Sequence, residues 1–225
     1  ASIITPIGLD HLDWLPENEQ TIKKIIYEKT STLLNSNIII AKQSSNEITD
    51  QIKQTINKNI SNKVFYNQDY NHSSNENNFF YYKDRFGGIK LPCPNINGKF
   101  QLENISTAIA ALRFIEELNI NEDQIKTGIT KIKSIARLQE ITKGKLKDLV
   151  KNNRLIVDGS HNPLGAKVLN EFLDSLNCDK HIILGMMANK KHKEYISHFK
   201  NISSLTTISI PNQPSSMKGN ELKDK

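Results

Sequence analysis

The sequence predicts an α/β protein made of two successive lobes. Two separate series of alternating strand and helix patterns indicate this fold class, one before and one after a break near residue 134. The apolar run 38–41 is short and bounded by polar residues, which is typical of a strand buried in a parallel sheet. We therefore predict two domains, 1–134 and 135–225.

In the first lobe, apolar residues recur at helical spacing between short β-rich runs. The predicted strands are 2–7, 37–41 and 63–66, and the predicted helices are 17–34, 48–60, 102–118 and 121–132. Asn121 is a suitable N-cap for the last of these helices. Residues 67–78 are rich in Asn and Ser and predict a loop, and a hairpin is predicted around 84–88.

The second lobe shows the order strand, helix, strand, helix, strand, which is typical of a Rossmann-like three-layer domain. The predicted strands are 154–158, 181–185 and 205–210, and the predicted helices are 163–176 and 194–202. Because the chain stops at Lys225, before such a domain normally closes, we expect this domain to be incomplete.

Composition excludes several classes of function. The net charge of +6 comes from scattered lysines and not from a basic stripe with interleaved aromatic residues, so we expect no nucleic-acid partner. Cys93 and Cys178 lie far apart, which argues against a disulfide framework or a zinc site. No apolar run reaches the length of a membrane span, and the N-terminus does not resemble a signal peptide. The sequence therefore predicts a cytoplasmic protein without a membrane partner.

The most specific motif is the hexapeptide 158–163, Asp-Gly-Ser-His-Asn-Pro. It follows a predicted strand and precedes a predicted helix, at the edge of the sheet where α/β proteins bind ligands. Asp158 could accept hydrogen bonds from ribose hydroxyls, and Gly159 would let the backbone approach a ligand closely. The same residues could equally form only a turn and a helix start.

Five motifs occur in one order along the chain: 7–11, 28–29, 102–104, 136–139 and 157–163. Together they resemble the folylpolyglutamate synthase/dihydrofolate synthase family of Mur ligases, from residue 1 to about residue 200. The resemblance implies the latter half of a Mur-ligase central domain, followed by a truncated Rossmann-like C-terminal domain.

The resemblance also implies two residues that bind magnesium ions. His11 would bind Mg²⁺ through a neutral imidazole nitrogen, although an unliganded loop histidine is an ordinary alternative. Lys29 would be a catalytic residue whose carbamylated side chain holds a second Mg²⁺. That modification requires a lysine pKa lowered by burial or by nearby cations, and the alternative is an exposed helical lysine paired with Glu28 or a neighbour.

The remaining implied roles concern ATP. Asn104 would hydrogen-bond the adenine, or cap the helix that follows, or do both. Arg137 would be a catalytic residue that binds an ATP phosphate from the interdomain linker, where a guanidinium can bind bidentately. Asp158 would hold the ribose, and His161 would lie beside the nucleotide. The nucleotide would thus lie between an arginine at the junction of two facing lobes and an aspartate of the later lobe.

The reaction implied is ATP-dependent ligation of L-glutamate to folate or dihydropteroate through an acyl phosphate. Mg²⁺ is the second implied cofactor. The chain has no G-x-x-x-x-G-K-[ST] phosphate loop. Three hypotheses follow: a ligase completed by a missing N-terminal half, an inactive remnant, or a nucleotide-binding module only. Another Mur-type amino-acid ligase is a further alternative.

Overall fold

The computed structural model describes residues 1–9, 15–33, 37–56, 60, 62–74 and 78–225. Its contacts divide the chain between Ser134 and Ile135 into two compact units. Among the described residues, the first unit contains 1–8 and 15–134, and the second contains Leu9 and 135–225. The units combine helices with strands, as the sequence predicts. Within the described part, no helix has the length and apolar character needed to cross a membrane.

A parallel three-stranded sheet forms one part of the first unit. Its strands β1 (Ser2–Ile4), β2 (Ile38–Ile40) and β3 (Lys63–Phe65) lie side by side in sequence order. Every residue of the central strand β2 is fully buried, which explains its unbroken apolar run.

Two helices connect these strands and pack against each other: α1 (Ile22–Ser31) follows β1, and α2 (Asn46–Thr55) follows β2. The hydroxyls of Thr21 and Ser45 cap their N-termini by accepting backbone N–H bonds. The predicted helix 17–34 is therefore shorter, because Thr21 starts α1 after a separate 3-10 turn at Glu17–Glu19.

The second sheet of this unit is antiparallel and contains β4 (Tyr70–Ser74), β5 (Phe79–Asp84) and β6 (Gly87–Pro92). The predicted hairpin is confirmed, with residues 85–86 joining β5 to β6. The predicted loop over 67–78 was wrong at Tyr70–Ser74. Among the described strands, this edge strand pairs with β5, most of its residues are polar and exposed, and Tyr70 is its fully buried residue.

Helices α3 (Phe100–Phe114) and α4 (Glu122–Thr130) complete the first unit. α3 packs against β2 and β4, and α4 packs against β6. Asn121 caps α4 as predicted, and Gln124 returns a side-chain bond to the Asn121 amide. Their shared core contains Ile39, Val64, Tyr70, Phe80, Tyr82, Ile89, Leu91, Ile105, Ile109, Ala110, Ala111, Phe114, Ile125 and Ile129.

The second unit has two short sheets. β7 (Gln139–Glu140) pairs antiparallel with β8 (Ile156–Val157), and β9 (His181–Leu184) pairs in parallel with β10 (Ser204–Thr207). Among the described strands, β8 is hydrogen-bonded to β7 and not to β9, so the predicted strands 154–158 and 181–185 do not pair directly.

Four helices accompany these strands: α5 (Lys145–Val150), α6 (Pro163–Asp174), α7 (His192–Ser197) and α8 (Gly219–Lys223). The core of this unit contains Ala166, Leu184, Met186, Tyr195 and Leu222. The start of α6 at Pro163 is as predicted, whereas α5, α8 and β7 were not predicted.

Candidate functional site

The turn between β8 and α6 lies directly on the first turn of that helix. The Oδ1 atom of Asn162 accepts the backbone N–H of Gly165 at 2.8 Å and caps α6. A Cβ atom at Gly165 would lie 2.7 Å from the Cβ of Ser160, closer than packed atoms tolerate. Gly165 therefore allows the turn to dock on the helix.

Asp158 is half-buried, and its carboxylate binds backbone on two sides. Its Oδ1 accepts the N–H of Ser160, and its Oδ2 accepts the N–H of Leu138, both at 2.8 Å. A carboxylate has about four acceptor positions. Asp158 can therefore hold this backbone and still accept hydrogen bonds from ligand hydroxyls.

The loop that presents Arg137 is held in an unusual conformation. Ala136 and Leu138 both have positive φ angles, 51° and 47°. The carbonyl of Ala136 accepts the Gly159 N–H at 2.8 Å, and its N–H donates to Gln139 Oε1 at 2.9 Å. Arg137 itself is exposed, and no hydrogen bond or ion pair joins its guanidinium to another described residue.

His161 and Ser160 make separate contacts within and beyond this turn. His161 is half-buried, and its Nδ1 lies 3.0 Å from the carbonyl oxygen of Gly159. The hydroxyl of Ser160 lies 2.9 Å from that of Tyr195, which is buried on α7. Burial raises the pKa of the Tyr195 phenol, so the link joins two neutral hydroxyls.

The structure thus gathers three predicted site residues, Arg137, Asp158 and His161, around one turn. Arg137 is exposed and precedes Leu138, whose N–H donates to Asp158. An exposed guanidinium and a carboxylate with acceptor capacity left on the same loop and turn suit a ligand that carries both an anionic group and hydroxyls. Sequence reasoning missed Gly165 and Tyr195. A glycine in the first turn of a helix was a usable signal for Gly165, but nothing in the sequence singled out Tyr195.

The predicted site residues of the first unit lie on different helices. Asn104 is an exposed residue of α3 whose Nδ2 donates to Gln101 Oε1 at 3.2 Å. Because α3 begins at Phe100, the N-cap alternative for Asn104 was wrong. Lys29 is an exposed residue of α1, and His11 lies outside the described residues. Among the described ranges, no group of three or more His, Cys, Asp or Glu residues could hold a metal ion.

A second polar cluster lies near the carboxyl end of β2. Lys42 Nζ pairs with Glu103 Oε1 at 2.6 Å, and Tyr66 Oη lies 3.2 Å from His72 Nδ1. Burial is the main cause that lowers the pKa of His72 and raises the pKa of Tyr66. This edge of a parallel sheet is where α/β proteins commonly bind ligands.

The neighbouring backbone is fixed by Gln43, whose side chain is buried. Its Oε1 accepts the N–H of Ile7, and its Nε2 donates to the carbonyl of Ala41, both at 2.9 Å. The segments that follow β1 and β2 are thereby held together.

Solved structures share this fold. FolC of E. coli in complex with DHPP and ADP superposes with a TM-score of 0.80 and 22% identity, over 99% of this chain and 50% of that chain. The bifunctional folylpolyglutamate synthase/dihydrofolate synthase of Yersinia pestis CO92 gives a TM-score of 0.74 and 19% identity, over 99% and 50% of the two chains.

The folylpolyglutamate synthase of Mycobacterium tuberculosis complexed with ADP and AMPPCP gives a TM-score of 0.78 and 17% identity, over 98% and 50%. No family model and no curated protein match the sequence. The chain spans about half the length of the solved structures that it matches. The likeness that the five motifs predict is therefore confirmed for the fold: this chain has the fold of the C-terminal half of these solved structures.

Proposed function

We propose that this chain supplies the C-terminal half of an ATP-dependent ligase that adds L-glutamate to folate or dihydropteroate. The observation that supports this most is the turn that joins Arg137 to Asp158 in a chain with this fold. Three structures of that fold were solved with ADP bound, one of them together with DHPP. These ligands belong to those proteins, and their transfer to this chain is part of the proposal.

Each residue of the second unit has a separate task in this proposal. Asp158 accepts hydrogen bonds from the ribose hydroxyls with the acceptor positions that Leu138 and Ser160 leave open. Arg137 binds phosphate oxygens through its exposed guanidinium and offsets the charge that develops there. His161 lies beside the nucleotide. In the first unit, Asn104 would present its amide to the adenine, and the catalytic role of Lys29 stays a prediction of the resemblance.

ATP supplies the phosphoryl group that converts the carboxylate of folate or dihydropteroate into an acyl phosphate. The amine of L-glutamate then displaces phosphate from that carbon, and an amide results. The task of the protein in such a transfer is to position the reactants and offset charge.

The described residues do not by themselves fit the predicted magnesium site. Lys29 is an exposed residue of α1, so it lacks the buried environment that favours carbamylation of a lysine. His11 lies outside the described residues. Magnesium binding by His11 and Lys29 stays a prediction of the resemblance.

A phosphate loop must come from outside these 225 residues, because the sequence contains none. We therefore expect glutamate-dependent ADP release only when a P-loop-bearing N-terminal half is supplied together with dihydropteroate or tetrahydrofolate. Arg137→Ala should lower that turnover by about 100-fold, the usual loss when a charge-stabilising donor is removed. Unchanged turnover in Arg137→Ala would remove this residue from the site.

The matched control is Arg154→Ala. Arg154 is an exposed arginine of the same unit, paired with Glu140 on the surface, and its loss should leave turnover unchanged.

A cytoplasmic location belongs to the same proposal, and cell fractionation tests it.

A further inference from the structure

Positive φ angles in non-glycine residues are costly, and the Arg137 loop contains two of them. A left-handed conformation costs roughly 1–2 kcal/mol per residue, so Ala136 and Leu138 keep theirs only if neighbouring groups impose it. Strain of this kind on both sides of an exposed arginine points to a loop whose function is to fix that side chain.

Three hydrogen bonds impose this conformation on the loop. Two of them come from the neighbouring turn and one from within the loop itself. The Asp158 carboxylate and the Gly159 N–H bind Leu138 and Ala136 from the neighbouring turn. The third bond comes from within the loop, where Gln139 Oε1 accepts the Ala136 N–H at 2.9 Å. Leu138 is also buried, which anchors the loop by its side chain.

The hydrogen bond from the Ala136 N–H to Gln139 Oε1 has the three-residue spacing found at helix N-termini, although the described residues form no helix at this position. In α4, the same three-residue spacing joins Gln124 Oε1 to the Asn121 N–H, also at 2.9 Å, and that bond belongs to a capping box. Gln139 instead opens the two-residue strand β7. Its side-chain bond therefore fixes the backbone that flanks Arg137.

We propose that Gln139 and Asp158 are positioning residues that hold the backbone at Arg137 in a fixed conformation and so keep its side chain exposed. The nature of the group that Arg137 meets, a nucleotide phosphate, rests on the proposed function. The hydrogen bonds that hold the loop do not depend on the proposed function. An arginine fixed in advance loses less conformational entropy when it binds an anion.

Limited trypsin digestion of the whole chain tests this proposal at the Arg137–Leu138 bond. Proteolysis of a closed loop depends on how often it opens. Loss of one hydrogen bond should raise that population about fivefold. We expect Gln139→Leu to speed cleavage at this bond by that factor, and Gln139→Glu, which keeps an acceptor oxygen, to restore the slow rate.

Two controls separate positioning from general destabilisation. Gln124→Leu removes the equivalent bond in the first unit and should leave cleavage at Arg137 unchanged. Cleavage after Arg154, in the same unit as Gln139, should not change in Gln139→Leu. Equal acceleration at both arginines, or no acceleration at Arg137, would overturn the proposal.

Nucleotide binding distinguishes failure of this inference from failure of the proposed function. Gln139→Leu should weaken ADP binding about fivefold and leave adenosine binding unchanged, because adenosine has no phosphate for Arg137 to bind. If the chain, supplied together with the P-loop-bearing N-terminal half, binds no ADP while trypsin cleavage behaves as expected, the nucleotide proposal fails and the positioning role of Gln139 stands.

Discussion

Asp84 is the most heavily bonded buried charge in the first unit. Its carboxylate is shielded from solvent and receives Arg113 Nε at 2.7 Å and Nη2 at 3.1 Å. The hydroxyl of Tyr82 and the N–H of Phe86 donate to the same carboxylate at 3.0 and 2.8 Å. This network ties the β5–β6 turn to helix α3.

Asp84→Asn should destabilise the protein strongly, since the mostly buried Arg113 would lose its countercharge. Removing one partner of a buried pair costs about 3–5 kcal/mol. The urea-unfolding midpoint, followed by circular dichroism, measures the loss. Asp50→Asn is the control: Asp50 pairs with Lys53 on the surface, and its loss should change stability by less than about 0.5 kcal/mol. Equal losses in the two variants would contradict the importance of burial.

The half-buried imidazole of His72 makes stability depend on pH. Burial, its largest cause, lowers the pKa of His72 below its ordinary value of 6.5. Above pH 6.5 the folded and unfolded states are both neutral at this residue. As the pH falls from 6.5 through the folded pKa, the unfolded state binds the proton more readily, so the free energy of unfolding decreases.

His72→Gln should therefore flatten the decline in melting temperature between about pH 6.5 and 5. His181→Gln, at an exposed histidine of β9, is the control and should retain the decline. A pH profile of His72→Gln that matches the unaltered protein would show that another group causes the dependence.

For single residues, the sequence predicts the chemistry of a side chain at a given place more readily than it predicts the residue with which that side chain forms a hydrogen bond. The position of Asp158 between a predicted strand and a predicted helix was enough to place this carboxylate in the turn between β8 and α6. Its bond to Leu138 N–H was not predictable, because it joins residues 20 positions apart and depends on two positive φ angles. No periodic pattern signals a left-handed alanine or leucine.

In helix α6, Gly165 allows the preceding turn to pack directly on the helix. Gly165→Ala would place a Cβ atom 2.7 Å from Ser160 Cβ and 3.2 Å from Asn162 Oδ1. We expect this variant to lose stability by roughly 1–3 kcal/mol, because the turn must move away from the helix. Thermal unfolding measures the change.

The matched control is Gly128→Ala in α4, where an added Cβ would meet no atom within 4 Å. Alanine is the better helix former, so this variant should gain about 0.5–1 kcal/mol. A neutral Gly165→Ala would show that the turn does not need its close packing on α6.

Elements with strong local signals were predicted, and those that depend on distant partners were not. β2 has an unbroken apolar run, and α4 has a capping box. In contrast, β4 is an edge strand of the described sheet with mostly polar, exposed side chains, so it lacks the apolar alternation that marks a strand. β7 is two residues long, too short for a two-residue period to be read from sequence.

At the scale of the whole molecule, each unit contains one free cysteine, and the two differ in environment. Cys93, in the first unit, is partly buried and packs against the main core. Cys178, in the second unit, is exposed. Because the thiols report on different units, their reactivity can follow the opening of the first unit separately from general exposure.

We expect Cys178 to react with a maleimide at the rate of an open thiol and Cys93 to react slowly, only as its unit opens locally or globally. Asp84→Asn should accelerate modification of Cys93 on the order of tenfold or more, since the buried ion pair lies in the same unit, and should leave Cys178 unchanged. Mass spectrometry of time-quenched samples assigns each modification. Equal reactivity of the two thiols in the unaltered protein would contradict the packing of Cys93, whereas parallel acceleration of both in Asp84→Asn would show that the two units open together.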